Sequence, residues 1–497
     1  MVKKTKKHST KKPISKVYNG DGSEPRKIKA STAYGICSER LSPFGGLLAL
    51  IKFLDLMRLE EVFDHAYRAP ARKPKLGHYR MVVGILMLLF IGFNRLWHFV
   101  YIRWDAMVCG FFQLHLLPVA STFWRYVDNL GINQANSFVN IMSILRERVW
   151  QQCHLKYQKI HVSADTTADT VYGNQQGARK GYNPQHRGKN AYRPILCFID
   201  ETREYLIGKL RKGVTLSGEE AAVIIKKIRT HLPGCVKKVL FRGDGEFFSW
   251  ESVKACTDEG FDFVIGNKKA RPPFDPETWY QPRKRKPFQF NSCIYQPIGW
   301  KAPCRFVAMR IPKELKTPPG VPVQYELFED DQYTYRIFCT NLQGKPHKII
   351  ALYDKRADAE NLIGEAKREG LDAIPSGKFK NNYAFFQIVM LAYNIWRYFK
   401  MMAELSAKKG SPDKEAPSHN ALEGLADNTI RIARLKLLLI AAKLVFHDNR
   451  ERIRFSMYDT RTPAMLSLLK FLDTARSKLR PWIDGSLWPC KFSLNHS

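Results

Sequence analysis

The chain has 497 residues, enough for about three domains at roughly 150 residues each. Hydrophobic residues make up 45% and aromatics 12%, which excludes a mainly disordered chain. Lys and Arg number 80 against 46 Asp and Glu, a formal charge of +34 that points to a polyanionic partner, nucleic acid ahead of a membrane surface.

Ten cysteines are scattered without a Cys-x-x-Cys pair, so neither a zinc ribbon nor a redox motif is legible. Reduced thiols in a cytosolic protein are the expectation. Met1 to Lys16 has no apolar core and reads as no signal peptide. The longest apolar run, Met81–Phe93, is 13 residues, too short for a bilayer core of ~30 Å. Tyr383–Leu405 is apolar but interrupted by Gln387, Asn394, Arg397 and Lys400, so a buried amphipathic helix is expected there. No membrane partner is expected.

Residues 1–35 read as a flexible basic tail. Residues 1–30 hold ten Lys and Arg against two acids, Asp21 and Glu24, which suits non-specific phosphate contact. Residues 36–155 read as all-α, with apolar residues at helical spacing through Leu47, Leu50, Ile51, Leu54 and Leu56. Ser121 or Thr122 is placed to cap a short helix that carries Trp124 and Arg125 and ends near Gly131. Such a helix suits a helix-turn-helix-like reader of DNA ends; an ordinary helical bundle has the same pattern.

From Lys159 the pattern changes. Ile160–Asp165 alternates as a half-buried strand does, and Tyr192–Ile199 and Tyr205–Leu210 follow as strands. Ser217-x-x-Glu220 is a capping box ahead of a helix over Ala221–Ile228. Strand Val236–Phe241, helix Trp250–Thr257 and strand Phe261–Ile265 come next. Three antiparallel strands, then helix, strand, helix, strand, is the order of an RNase H-like core, here assigned to residues 156–405. Residues 267–350 interrupt it with prolines, the basic run Arg283, Lys284, Arg285, Lys286, and strand-like runs at 288–295, 305–311, 323–328 and 333–341: a β-rich insertion. Residues 406–497 read as a linker and a basic helical region, with a helix over Ile430–Val445 and alternating Arg450, Arg452 and Arg454. The fold class expected is α/β (α+β) and multidomain.

Three acids carry the chemistry. Asp165 ends the first strand and Asp244 follows the fourth; in an RNase H-like sheet those two ends are neighbours. Two carboxylates held together repel, and a divalent cation with oxygen ligands resolves the repulsion. The third acid belongs to Tyr353-x2-Arg356-x3-Glu360-x6-Lys367. At roughly 100° per residue, Arg356, Glu360 and Lys367 fall near −60°, −20° and −40° from Tyr353, one narrow helix face. A metal-binding carboxylate flanked by two cations and a phenol suits a phosphodiester site; a solvated charged helix is the plain alternative. His161 has no Cys or His partner at ligand spacing and carries no zinc expectation.

These motifs resemble a DDE transposase of bacterial insertion sequences, in the group marked by a Tyr-Arg-Glu-Lys signature. The stretch Asp165-Thr166-Thr167, Tyr172-Gly173, Gly181-Tyr182-Asn183-Pro184 and Arg187-Gly188, with Arg242-x-Asp244-x-x-Phe247-Phe248, is similar to the insertion-sequence thirteen-eighty family in particular. One departure is Gly245, where such proteins often have Ser. The resemblance implies catalytic and metal-holding Asp165, Asp244 and Glu360, with two Mg²⁺ ions that Mn²⁺ can replace. It implies Arg356 and Lys367 on phosphates and Tyr353 on the DNA backbone. The partners implied are double-stranded DNA, as terminal inverted repeats and target, and a second copy in a synaptic complex, with 383–405 and 430–445 as candidate dimer helices. A hairpin intermediate would need an aromatic platform, for which Trp279 and Trp300 are candidates beside an ordinary core role. The place implied is the bacterial cytoplasm, at the nucleoid. A catalytically inactive DNA-binding descendant and an RNase H-like nuclease that does not join strands are the competing readings.

Overall fold

The computed structural model describes residues 28–181, 186–283, 285–313, 332–409 and 422–477. The Lys-rich start, Lys284 and the strand expected at 323–328 lie outside them. After a two-residue strand β1 (Leu41–Ser42), the chain is helical: α1 (Leu47–Leu56), α2 (Leu59–Ala66), α3 (His78–Ile91), α4 (Phe99–Ile102), α5 (Ala106–Phe112), α6 (Ala120–Val127) and α7 (Ile132–Gln152). Then come β2 (Lys159–Thr166), β3 (Asp169–Thr170), β4 (Arg179–Lys180), β5 (Asn190–Tyr192), β6 (Ile195–Ile199) and β7 (Glu204–Lys209). They are followed by α8 (Gly218–Ile228), β8 (Lys238–Gly243), α9 (Trp250–Asp258) and β9 (Asp262–Gly266). Strands β10 (Gln289–Tyr295), β11 (Cys304–Pro312) and β12 (Tyr333–Thr340) lead into α10 (Pro346–Asp354), α11 (Ala357–Ala366) and α12 (Phe379–Lys409). Helix Ile430–Leu437, hairpin β13 (Ala442–His447) and β14 (Arg450–Phe455), and helix Thr462–Ser477 close the described part.

Eight strands form one mixed sheet in the order β10-β11-β12-β9-β8-β2-β6-β7. Pairs β2–β8 and β8–β9 are parallel and the rest antiparallel. Parallel strands are covered on both faces, which is why Val239–Phe241 and Phe263–Ile265 are unbroken apolar runs. On β8, β9, β11 and β12, Leu240, Val264, Val307 and Phe338 turn toward Ile349, Ile350 and Tyr353 of α10. Their neighbours Phe241, Ile265, Phe306 and Cys339 turn to the main core, which runs from α1 to the last helix. The strands of 267–350 therefore extend the central sheet at its β9 edge rather than standing apart from it.

Several expectations are corrected. β2 is not half-buried: Val162 to Asp165 are all enclosed, because the strand is central and both its faces are covered. The run Tyr192–Ile199 breaks at Pro194, which has no N–H for the ladder; β5 pairs instead with β3 and β4 in a small separate sheet. Ser217 caps α8 by accepting from Glu220 N–H at 3.2 Å, but Glu220 turns to Arg211 at 2.6 Å, so the box is half made. α6 starts at Ala120 with no side-chain cap, and Gly131 stands at the N-cap of α7 instead of closing α6. Ile430–Val445 is not one helix. It stops at Leu437, and residues 442–455 form a hairpin whose turn residues Asp448 and Asn449 both take positive φ (51° and 58°), as a two-residue turn requires.

The helix expected to be amphipathic is buried all round. Every residue of α12 from Asn381 to Lys400 is enclosed, so residues 383–405 offer no surface for dimerisation over that stretch. The helix also runs on to Lys409, past the expected start of the linker. No single helix among the described residues is long and apolar enough to cross a membrane. Most of the buried polar groups of α12 have partners on other elements. Tyr398 OH donates to Glu204 at 2.7 Å, and Glu204 also accepts from Arg146 and Trp150 at 2.8 Å and Thr202 at 2.7 Å. Arg146 donates further to the carbonyls of His231 and Tyr205, both at 2.8 Å. Glu204 and Arg146 have no exposed side-chain surface, so removing one leaves the other charge uncompensated. Glu204→Ala is expected to cost about 3–5 kcal/mol. Urea unfolding followed by tryptophan fluorescence checks this; a midpoint equal to that of the native chain refutes it.

Candidate active site

The parallel register of β2 and β8 places Ala164 opposite Gly243, so the next residues, Asp165 and Asp244, stand side by side at one end of the sheet. Gly243 has no room for a side chain: a Cβ there would lie 2.9 Å from Phe247 Cβ. Asp165 is buried and Asp244 half-buried. Asp165 Oδ1 accepts from Thr166 N–H at 2.8 Å, and Asp244 Oδ1 from Glu246 N–H at 3.1 Å. Burial pushes both carboxyls above the usual carboxylate range. Arg356 pulls both down, while Asp244 and Glu360 push Asp165 further up and Glu246 does the same to Asp244.

The signature residues do not share one helix face. α10 ends at Asp354 and α11 begins at Ala357, with Lys355 and Arg356 at the joint. Tyr353 is buried, its ring 4.3 Å from that of Phe338, and burial lifts its phenol to about 12. In this structure the ring takes a packing position, with Arg356 5.7 Å from its centre. Arg356 is buried and central: Nη2 lies 3.0 Å from Asp165 Oδ1 and Nη1 3.6 Å from Glu360 Oε1. Glu360 is 58% exposed on its side chain. Lys367, beyond the end of α11, donates to Ala168 O at 2.8 Å and pairs with Asp169 at 3.2 Å.

Sequence reasoning missed the groups that hold this arrangement. Arg242, on β8, donates to Leu352 O of α10 at 2.7 Å and to Ser163 Oγ of β2 at 2.9 Å, and pairs with Asp200. Glu246 accepts from Thr166 Oγ1 at 3.1 Å and pairs with Arg193. An arginine inside the apolar run Val239–Phe241–Arg242 was the available signal, since a cation in a covered strand needs a partner.

The remaining candidates are exposed or half-buried. Arg283, Arg285 and Lys286 are exposed. Trp124 is 44% exposed, its indole donating to Pro375 O at 2.7 Å, and Arg125 beside it is exposed. Trp279 packs against Phe274 and Tyr335 with Arg310 over its ring at 4.4 Å, and Trp300 packs against Phe248, Trp250 and Phe306. Both rings are half-buried, packed against the edge of the main core. His161 Nδ1 sits 2.5 Å from Glu201. No disulfide is formed among the described cysteines.

The donor set fits a hard divalent cation: three carboxylates, two of them with proton affinities raised by burial and nearby acids. They are not gathered for it. Among the described residues no three His, Cys, Asp or Glu side chains are close enough to hold an ion, and Arg356 supplies the positive charge between Asp165 and Glu360. A carboxyl whose pKa is raised on folding costs stability once ionised. At pH 8 in chelator, Asp165→Asn should therefore raise the melting temperature by about 1–3 °C. The gain should close as pH falls toward about 4, where the unfolded carboxyl is itself protonated. Calorimetry across that range checks it, and a variant that melts lower at pH 8 contradicts it.

The family described as transposase DDE domain group 1 matches residues 37–477. No curated protein matches the chain. Among solved structures, the piggyBac transposase synaptic complex with hairpin DNA is similar over 88% of this chain and 86% of that one, at 11% identity and a TM-score of 0.39. The Mos1 transposase paired-end complex with left transposon end is similar over 39% of this chain and 60% of that one, at 7% identity and a TM-score of 0.16.

Proposed function

The chain belongs to the transposase DDE domain family, group 1, and from that premise we propose that it is a DNA transposase working through Asp165, Asp244 and Glu360. The observation that carries this reading is the parallel register setting Asp165 beside Asp244, with Arg356 spanning Asp165 and Glu360. We read β7-β6-β2-β8-β9 with its helices as an RNase H-like core, resembling the Tyr-Arg-Glu-Lys group and its insertion-sequence thirteen-eighty branch. The three carboxylates would hold two Mg²⁺ ions, replaceable by Mn²⁺, which supply activation of the attacking oxygen and stabilisation of the leaving one.

The chain's own residues do the positioning. Backbone N–H groups of Thr166 and Glu246 fix the two aspartates before substrate arrives. Arg356 presents a fork that pairs with carboxylate here and has the geometry for a phosphodiester. When the scissile phosphate takes that fork, Asp165 is freed to act as a ligand. Water attacks phosphorus at the element's end and displaces the 3′-oxygen, which leaves as a 3′-hydroxyl; that hydroxyl then attacks a phosphorus of target DNA and displaces the target's own 3′-oxygen. Double-stranded DNA, as terminal inverted repeats and target, is the partner. The exposed Trp124, Arg125, Arg283, Arg285 and Lys286 and the charge of +34 favour its binding. A second copy brings the two ends together.

A plasmid carrying the gene with its native flanking DNA, incubated with the protein and Mg²⁺, tests the reading. Excision at defined ends is expected, with Glu360→Gln and Asp165→Asn slower by about 10³-fold or more while still binding the ends. Cutting that persists in Glu360→Gln refutes the assignment. Tight binding without cutting by the native chain, in Mg²⁺ and in Mn²⁺, replaces it with an inactive binder, and cutting without joining replaces it with a nuclease.

A further inference from the structure

Asp169, four residues beyond Asp165, has no place in the chemistry above. Its side chain has no exposed surface, and neither carboxylate oxygen accepts a hydrogen bond among the described residues. Its close ionic contact is Lys367 Nζ, 3.2 Å from Oδ1. Buried acids elsewhere in this chain look different: Glu204 receives four side-chain donors. Burial lifts the Asp169 carboxyl to about 6, and Lys367 is the first group opposing that rise. Such a carboxylate adds little to the fold. What it does is fix an ammonium.

We propose that Asp169 is a positioning residue, holding the Lys367 ammonium beside the catalytic acids where it meets a phosphate of the bound DNA strand. The inference rests on the transposase reading. Lys367 stands where α11 gives way to the wider turn Lys367–Leu371, which contains Gly370 at φ 114°. A four-carbon stem at a helix end does not by itself fix its charge. Both anchors of the ammonium, Ala168 O and Asp169, come from the chain just past Asp165. The cation is therefore indexed to the catalytic strand rather than to its own helix. An ammonium has three N–H donors; Ala168 O takes one and the charge faces Asp169, which leaves donor capacity for a phosphate oxygen. The side chain is 23% exposed, and it lines a cavity of about 270 Å³ whose wall includes Ala168–Tyr172 and Arg95. The amide of Asp169→Asn would keep the shape and lose the charge that steers the ammonium.

The test compares the full-length chain with Asp169→Asn, Lys367→Met and the double variant on the plasmid carrying the native flanking DNA. Cutting rate at saturating DNA and DNA affinity are measured separately. Asp169→Asn should cut about 10- to 100-fold slower, since a small misplacement of a positioning group costs that much. Its DNA affinity should stay within about threefold. The double variant should be no slower than Lys367→Met alone. An unchanged rate in Asp169→Asn, or full multiplication of the two single losses, overturns the proposal. A thermal arm needs no cutting: Lys367→Met should lower the melting temperature by stranding the Asp169 charge, and adding Asp169→Asn should restore it. A double variant melting below both single ones overturns the pairing. If the native chain cuts no DNA, the transposase reading fails, and the thermal arm still decides whether Asp169 and Lys367 act as a unit.

Discussion

A helix with no solvent-facing side has to have each of its polar groups met by some other element, and α12 is such a helix. Asn381 donates to the carbonyls of Val127, Asp128 and Leu130 behind α6. Gln387 donates to Gly208 O, and Asn394 both donates to and accepts from the backbone of Tyr205, on the edge strand β7. Trp396 stacks on Phe90 of α3 at 3.8 Å. Lys400 ends on the carbonyls of Ala426 and Asn428. An unmet amide or ammonium in that environment would cost about 1–3 kcal/mol or more. Each partner's position is thereby constrained, and the N-terminal helices, the sheet edge and the C-terminal segment are fixed relative to one another through a single rod.

The site inherits that rigidity through α11. Glu365 pairs with Arg397 of α12, accepts from Tyr393 OH and accepts the Ile430 N–H at 2.6 Å. Glu369 pairs with Arg434. Glu360 and Glu365 are five residues apart, roughly 140° around a helix. The acids at 365 and 369 therefore pin the side facing the protein, while Glu360 is left on the side facing Arg356 and solvent. From the sheet, Arg242 reaches Leu352 O and sets where α10 ends. The third acid is thus placed by the ion pairs of Glu365 and Glu369 and by the Arg242–Leu352 O hydrogen bond, none of which touches it.

Much of this was legible. Strands β2, β6, β7, β8 and β9 and helices α8 and α9 follow from period and caps, the short β3, β4 and β5 do not, and Asp165 and Asp244 stand out because one ends the first of these strands and the other follows the fourth. The signature spacing correctly named Arg356 and Glu360 as neighbours but imposed a straight helix on them. Spacing cannot show that Lys355 and Arg356 interrupt the ladder, because nothing in Asp-Lys-Arg-Ala breaks a helix by propensity alone; the break is set by where α10 packs on the sheet. α12 misled for a related reason. Gln387, Asn394, Arg397 and Lys400 look like the polar face of an amphipathic helix, and only long-range partners reveal that they are buried. Likewise Val445 and Phe446 suit helix or strand equally over so short a run, and the Asp448–Asn449 turn decides.

The enclosed acids divide into two kinds by how fully their oxygens are supplied with donors. Glu204 takes donors from four side chains and is chemically finished; Glu365 is held by a guanidinium, a phenol and an N–H. At the end of β2 and β8 the pattern is different. Asp165 has one backbone donor and one guanidinium, Asp244 one backbone donor, and Asp169 a single ammonium. Native proteins leave few buried lone pairs empty, so the two unpartnered oxygens of Asp169, close in sequence to Asp165, call for an explanation beyond folding. Acceptors left open at one place are acceptors reserved for something not part of the chain. Carboxylates reserve them for cations, and the cations already present, Arg356 and Lys367, each retain donor capacity for an anion. Open valence of both kinds is what the proposed reaction, with metal ions and a phosphodiester, would require.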